Sequence, residues 1–344
     1  MSETPGLDLD ALRTYLDRER PGLFAGDLRA EVIAGGRSNL TYVVTDGSAE
    51  WVVRRPPLGH VLATAHDMGR EHRVISALGP TSVPVPGTVL LCEDTDVLGA
   101  PFYVMEKVTG TPYRYAAELD RLGVERTRQI CLQMVDILAT LHRIDPAEVG
   151  LADFGRPDGF LARQVRRWKK QLDASRSREL PGMDDLHARL EAGVPQQQAA
   201  AVVHGDYRLD NLLVDTDPDG DDRVTAVLDW EMATLGDPLT DVALLIAYRG
   251  IAMGPGAVAV ADAPRAPGFL STRELLDRYA ENSERDLSAM SFYVALAYFK
   301  LGVILEGIHY RYTQGKTVGA GFEQVGQMVG PIVEAGQRAF EEDL

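Results

Sequence analysis

The feature that most restricts this chain is a change of texture about a third of the way along it. Stretches 28–34, 40–45, 50–54, 87–92 and 102–106 are short β-type runs, with Asp46-Gly47 as a hairpin turn and one helix at about 66–78 among them. Ahead of them, 8–19 reads as a capped amphipathic helix with Leu9, Leu12 and Leu16 on one face, stopped by Pro21-Gly22. After Thr109-Gly110-Thr111-Pro112 the pattern turns helical, at 121–142, 159–172, 271–282 and about 287–312, with one β-rich interruption at 201–230. The 344 residues exceed one ordinary core. The order therefore predicts an α+β, bilobal architecture: a small β-rich lobe over 1–107 and a larger helical lobe over 108–344, with a cleft at the joint.

Charge then removes several classes of partner. Lys plus Arg number 35 against 51 Asp plus Glu, a net charge of −16, so nucleic acid and anionic membrane surfaces meet general repulsion. Cys92 and Cys131 lack metal-ligand spacing and read as two buried small hydrophobes in a reducing compartment. Met1-Ser2-Glu3-Thr4-Pro5 is acidic rather than basic, and no uncharged apolar run reaches the roughly 18 residues of a membrane span. The expectation is a soluble cytoplasmic chain.

The densest chemistry lies inside the β-rich interruption. His204-Gly205-Asp206-Tyr207-Arg208-Leu209-Asp210-Asn211-Leu212-Leu213 is followed by Val227-Leu228-Asp229-Trp230-Glu231. A carboxylate, an amide five residues on and a second carboxylate after a hydrophobic strand match what phosphoryl transfer from Mg-ATP requires. One carboxylate orients the attacking hydroxyl, while Asn and Asp hold the metal. This pattern resembles the aminoglycoside phosphotransferase and choline kinase superfamily, small-molecule kinases built like protein kinases. The resemblance implies Asp206 as catalytic base, Asn211 and Asp229 as Mg2+ ligands, and His204 as a support for the loop.

A kinase fold also needs a phosphate-covering turn, a cation and an acidic helix partner, in that order. Gly35-Gly36-Arg37-Ser38-Asn39 lies between two strand-like runs, where Gly35 and Gly36 let backbone N–H groups approach phosphates and Ser38 or Asn39 can donate to them. The first lysine is Lys107, so Arg54, at the end of Trp51-Val52-Val53, is the candidate cation; alternation points Arg55 to the other face. An arginine keeps its charge when buried and can fork across two oxygens. Glu71 is its expected partner. Phe102-Tyr103-Val104-Met105-Glu106-Lys107-Val108 resembles the kinase hinge, in which a strand's backbone edge meets adenine and Met105 sits behind it, with Glu106 and Val108 alongside. Asp153-Phe154-Gly155 spells the protein-kinase metal triplet but precedes the catalytic loop, and reads as a turn.

Two absences narrow the acceptor. His-Gly stands before Asp206 where protein kinases carry His-Arg, so no sensor of a phosphorylated activation loop is present. Seven residues separate Asp229 from Asp237, too few for the loop on which a peptide would lie. A small-molecule acceptor follows. Asp241 is expected to cap the next helix and brace the catalytic loop. In the late helix, Lys300 and Arg311 are 11 residues apart and fall about 20° from eclipsed, so two cations on one stripe could hold an acceptor anion. The rival account of that stripe, and of Arg163, Arg166, Arg167, Lys169 and Lys170, is a solvated basic face.

Nearly the whole chain further resembles one branch, the phosphotransferases related to the kinase domain fused to certain eukaryotic acyl-CoA dehydrogenases. The likeness rests on Gly36-Arg37-Ser38-Asn39-Leu40-Thr41, Arg54-Arg55-Pro56-Pro57, His66-Asp67-Met68-Gly69-Arg70-Glu71 and Asp229-Trp230-Glu231-Met232-Ala233-Thr234-Leu235-Gly236-Asp237-Pro238. Arg replaces the usual Lys in this branch, and Arg37 stands where the branch has Gln. The resemblance implies ATP, or another NTP, as donor and a hydroxyacyl-CoA or hydroxy acid as acceptor. An antibiotic phosphotransferase is the alternative within the enzyme class. A nucleotide-binding pseudokinase scaffold is the alternative outside it, and the intact Asp206, Asn211 and Asp229 oppose it.

Overall fold

The computed structural model of the chain describes residues 4–33, 39–58, 66–253, 261–317 and 322–342. They group into two compact units, Met1–Gly110 with Thr225–Ala233, and Thr111–Val224 with Thr234–Leu344. The first unit gathers α1 (Leu9–Glu19), β1 (Arg29–Val32), β2 (Leu40–Thr45), β3 (Glu50–Arg55), α2 (Met68–Leu78), β4 (Thr88–Cys92), α3 (Thr95–Leu98) and β5 (Phe102–Glu106). All five strands form one antiparallel sheet in the order β1-β2-β3-β5-β4. Helix α1 starts where the Asp8 side chain accepts from the backbone of Asp10 and Ala11, and buries Leu12 and Leu16. These leucines join Tyr42, Val44, Trp51, Val53, Phe102 and Val104 in one core. Cys92 and Cys131 are buried free thiols.

Because β5 pairs with β3 on one side and β4 on the other, it is an interior strand, so within the hinge-like stretch 102–108 the residues 102–106 offer no free backbone edge. The Glu106 N–H is already spent on Gly87 O at 2.8 Å. Only past Glu106, at Val108 and its neighbours, does the chain run outside the strands.

The second unit is helical around a small β insert: α4 (Ala116–Asp120), α5 (Val124–Arg143), α6 (Phe160–Ser175), α7 (Met183–Ala192), β6 (Ala201–Val203), β7 (Leu212–Asp215), β8 (Arg223–Val227), β9 (Thr234–Gly236), α8 (Leu239–Met253), α9 (Thr272–Glu281), α10 (Met290–Thr313) and α11 (Val325–Arg338). Strand β8 carries the chain from this unit into the first. Strand β6 pairs antiparallel with β9, Val203 opposite Thr234, so the residues after Val203 leave a fixed strand end. Helix α10 is long and apolar enough to cross a membrane by length and composition, although it carries Lys300, Glu306 and Arg311. Yet 72% of its most apolar window is buried, and it packs against α6, α7, α8 and α11 as a core helix. Asp153-Phe154-Gly155 is a turn, with Phe154 buried and no room for a Cβ at Gly155, which would fall 2.6 Å from the Leu235 backbone N.

Candidate active site

The first unit assembles a charge cluster from β3, α2 and the segment after β8. Arg54 and Arg55 alternate at the end of β3. Arg55 is buried, donating to the carbonyls of Gly6 and, at 2.8 Å, Leu98. Arg54 emerges on the opposite side, where Nε donates to Glu71 Oε2 at 3.1 Å and Nη2 to Asp229 Oδ1 at 2.6 Å, with Glu231 Oε2 4.0 Å away. One guanidinium thus faces three carboxylates, and the Glu71 side chain is only 2% exposed. Burial pushes the Glu71 carboxyl up to about 7; Arg54 opposes that rise, and Asp229 and Glu231 add to it. Tyr103, facing Arg54 across the sheet, hydrogen-bonds Glu71. Asp229 has φ 64°, a left-handed conformation that non-glycine residues seldom adopt and that marks a constrained position.

Asn39 is buried and donates its Nδ2 to Glu231 at 3.2 Å, so its N–H is engaged by a carboxylate; its buried Oδ1 has no partner among the described residues. Gly35, Gly36 and Ser38 lie outside the described residues. Met105 is buried in β5, while Glu106 is exposed.

The second unit holds the catalytic-loop motif. After β6 the chain turns through Gly205 at φ 85°, where an L side chain would be strained. Asp241, wholly buried in α8, accepts from the backbone N–H of His204 at 2.7 Å and of Gly205 at 2.8 Å, and from His142 Nε2 at 3.4 Å. Burial would raise its pKa, but His142, His204 and the Gly205 N–H together hold it below the usual carboxylate range. Burial pushes the His142 imidazole down from its ordinary value while Asp241 opposes that shift, and its Nδ1 lies 2.8 Å from the Tyr279 hydroxyl. Asp241 therefore braces the loop but does not cap α8. That task falls to Asp237, whose side chain accepts from Leu239 N at 3.2 Å.

The loop presents Asp206 with both carboxylate oxygens engaged: Oδ1 accepts from the Tyr248 hydroxyl at 2.5 Å and Oδ2 from Asn211 Nδ2 at 3.2 Å. Asn211 Nδ2 also bonds Asp206 O at 2.9 Å, so its amide nitrogen is committed. Its Oδ1 accepts no hydrogen bond from a described residue. His204 is fully buried, and its Nδ1 accepts from the Asp206 N–H at 3.2 Å. Tyr207 anchors the loop from below through a 2.7 Å bond to Met134 O. Arg208 stacks on the Tyr248 ring at 4.9 Å and pairs with Asp210.

Lys300 and Arg311 are not brought together. Lys300 Nζ reaches Gly205 O at 2.9 Å, whereas Arg311 is exposed about 16 Å further along the helix axis. Eclipsed positions share a direction, but 11 residues of rise separate the charges. Tyr248, Arg208, Glu231, Tyr103 and His142 were missed as site residues by the motif reading. Of these, Arg208, Glu231 and Tyr103 lie inside the catalytic-loop, Asp229 and hinge-like motifs, whereas Tyr248 and His142 lie in helices with no such signal.

These two clusters, on a five-stranded antiparallel sheet and a helical unit respectively, define a phosphotransferase with a protein-kinase-like α+β fold. The chain belongs to the phosphotransferase enzyme family, whose model matches residues 29–281. A provisional aminoglycoside phosphotransferase of Ralstonia eutropha has the same structure with a TM-score of 0.83 at 33% identity, over 97% of this chain and 98% of that one. A choline/ethanolamine kinase family protein of Mesorhizobium loti, at 17% identity and a TM-score of 0.59 over 96% of each chain, shares the fold. Among curated proteins, acyl-CoA dehydrogenase family member 11 of Gallus gallus is 33% identical over 341 residues, 96% of this chain. Family member 10 of Mus musculus is 33% identical over 335 residues, again 96% of this chain. The chain spans only 43% and 31% of these two relatives' lengths.

Proposed function

We propose that the chain transfers the γ-phosphoryl group of ATP to a hydroxyl of a small molecule, a hydroxyacyl-CoA or hydroxy acid. The observation that carries this reading is Asp206: a carboxylate gripped at both oxygens, on a loop braced by Asp241, five residues before an amide with an open oxygen. Asp206 accepts the proton of the acceptor hydroxyl as that oxygen bonds to phosphorus and the bond to the β–γ bridging oxygen breaks, leaving ADP. Arg54, anchored by Glu71, offers its guanidinium to phosphate oxygens.

The residues suit magnesium. Asn211 Oδ1 and Asp229 Oδ2 are hard oxygen donors not taken by described residues. The family resemblance implies these two residues as the magnesium ligands, with phosphate and water oxygens completing the shell. The bound ion would neutralise charge on the phosphates. The names of the relatives, acyl-CoA dehydrogenase family members, support the acyl-CoA side of the acceptor reading, and two buried free thiols accord with a cytoplasmic setting.

The test is ATP consumption with Mg2+ against a panel of hydroxyacyl-CoAs, hydroxy acids, amino alcohols and aminoglycosides. Asp206→Asn is expected to abolish transfer to whichever acceptor is used while nucleotide binding survives. Turnover in that variant comparable to the wild type would overturn the assignment.

A further inference from the structure

We propose that Lys300 and Arg167, set around Trp168 beside the catalytic loop, form a subsite for an anionic group, a carboxylate or phosphate, carried by the hydroxylated acceptor. The proposal rests on the phosphotransferase reading and names the class of its acceptor. Lys300 comes from the core helix α10, and its Nζ donates to Gly205 O at 2.9 Å, the residue immediately before Asp206. The same ammonium lies 5.8 Å from the Trp168 ring centroid, and the guanidinium of Arg167 lies 5.6 Å from that ring.

Neither cation has a carboxylate within ion-pair distance among the described residues. In a chain with 51 acidic against 35 basic residues, that is not for want of acids. Neighbouring Lys169, by contrast, is paired with Asp173. Asp206 and Asp241 attract Lys300 from farther off and Arg167 repels it, while burial pushes its amine down from the ordinary lysine value. An ammonium has three N–H donors. Protein oxygen takes one, and the ring takes a weak contact. A desolvated cation held without a counter-ion is costly, and such groups persist where a ligand supplies the missing charge.

Position adds the chemistry. An anion on Lys300 is one residue from the carboxylate that activates the hydroxyl, so the acceptor is a hydroxylated anion. A polycation would meet repulsion from both side chains. Arg167 is exposed, as the solvated run in the sequence predicts, and its guanidinium also lies over Trp168.

The experiment uses the full chain with Mg-ATP and four probes: 3-hydroxybutyrate, its CoA thioester, neutral 1,3-butanediol and kanamycin. Both KM from turnover and Kd from calorimetry are read. An anionic probe is expected to bind at least about tenfold more tightly than the diol or kanamycin. Lys300→Met should weaken that probe roughly ten- to more than a hundredfold, the range of one charge-assisted hydrogen bond, with the KM for ATP held within about twofold. Arg167→Glu, an exposed change, should act in the same direction and decides the question if Lys300→Met fails to fold. A carboxylate ligand predicts tight binding of the free hydroxy acid; a phosphate ligand predicts it only for the thioester, with free CoA competing.

Equal binding of the diol and the anions, or no binding by any probe, overturns the subsite. So does a Lys300→Met that lowers kcat alike for every acceptor with the anion-to-diol ratio unchanged, because that marks mere support of Gly205. If none of these acceptors is turned over, the proposed hydroxy-acid or hydroxyacyl-CoA acceptor fails, and the calorimetric ratio still decides the subsite.

Discussion

At the scale of single residues, the two carboxylates that matter are held in opposite ways. Asp206 is fixed by neutral donors, of which the Tyr248 hydroxyl is the shorter at 2.5 Å. Tyr248→Phe removes one hydrogen bond to a charged acceptor, about 1.5 kcal/mol or more, so kcat should fall about tenfold with the ATP KM unchanged. Steady-state kinetics with kcat within twofold of wild type would show that Asn211 alone orients the base. No local signal exposes Tyr248, which sits 42 residues past Asp206 in an apolar helix where a tyrosine reads as core. Glu71 is different, because its carboxyl is pushed up to about 7 by burial. Its folded pKa therefore lies above the ordinary 4.5, so its stability contribution is fully present below 4.5 and lost as pH rises through about 7. Denaturant melts of nucleotide-free protein should show stability falling across that window by up to about 3 kcal/mol. In Glu71→Gln the fall should disappear, and an unchanged slope would refute the assignment. The Arg54–Glu71 pair, in contrast to Tyr248, was legible in sequence, because strand alternation and a following helix leave one cation and one acid to meet.

Among elements, those with a cap and a clear period were legible: α1, β2 and β5 fall where the sequence puts them. Helix α8 was not, because Leu239–Met253 is buried nearly all round and shows no polar face to set a 3.6-residue period. Strand order was also hidden. Consecutive strands suggest neighbours, yet β3 pairs with β5 and leaves β4 outermost, which makes the hinge-like strand interior. The packing of α8 on α10 turns on a residue that sequence alone treats as a weak point. A Cβ on Gly250 would stand 1.9 Å from the Tyr298 hydroxyl and 3.2 Å from its ring carbon. Gly250→Ala should cost about 1–3 kcal/mol through overpacking, although Ala is the better helix former. Adding Tyr298→Phe removes the clashing oxygen and should recover most of the loss. A double-mutant cycle in urea that gives strictly additive effects would mean the two side chains do not meet.

Across the whole molecule, chain order and unit membership part company. Thr225–Ala233 lies deep in the helical half of the sequence but belongs with Met1–Gly110, which delivers Asp229 to Arg54 across 175 residues. Motif spacing could suggest Asp229 as a metal ligand; it could not show that Arg54 holds the same carboxylate. Asp229 keeps Oδ2 open while Oδ1 takes Arg54, so on the proposed reading Mg2+ and ATP should bind far better together than singly. Ligand at a hundred times its Kd adds about 2.7 kcal/mol to the native state. Thermal melts should therefore show a shift of several degrees with Mg-ATP and little with either component alone. Asp229→Ala and Asn211→Ala should each lose the magnesium-dependent part of that shift, whereas Asp206→Asn, whose task is the acceptor proton, should keep it. Full Mg-ATP shifts in both ligand variants would remove Asn211 and Asp229 from the metal site, and a shift lost in Asp206→Asn would move that residue from the acceptor to the nucleotide.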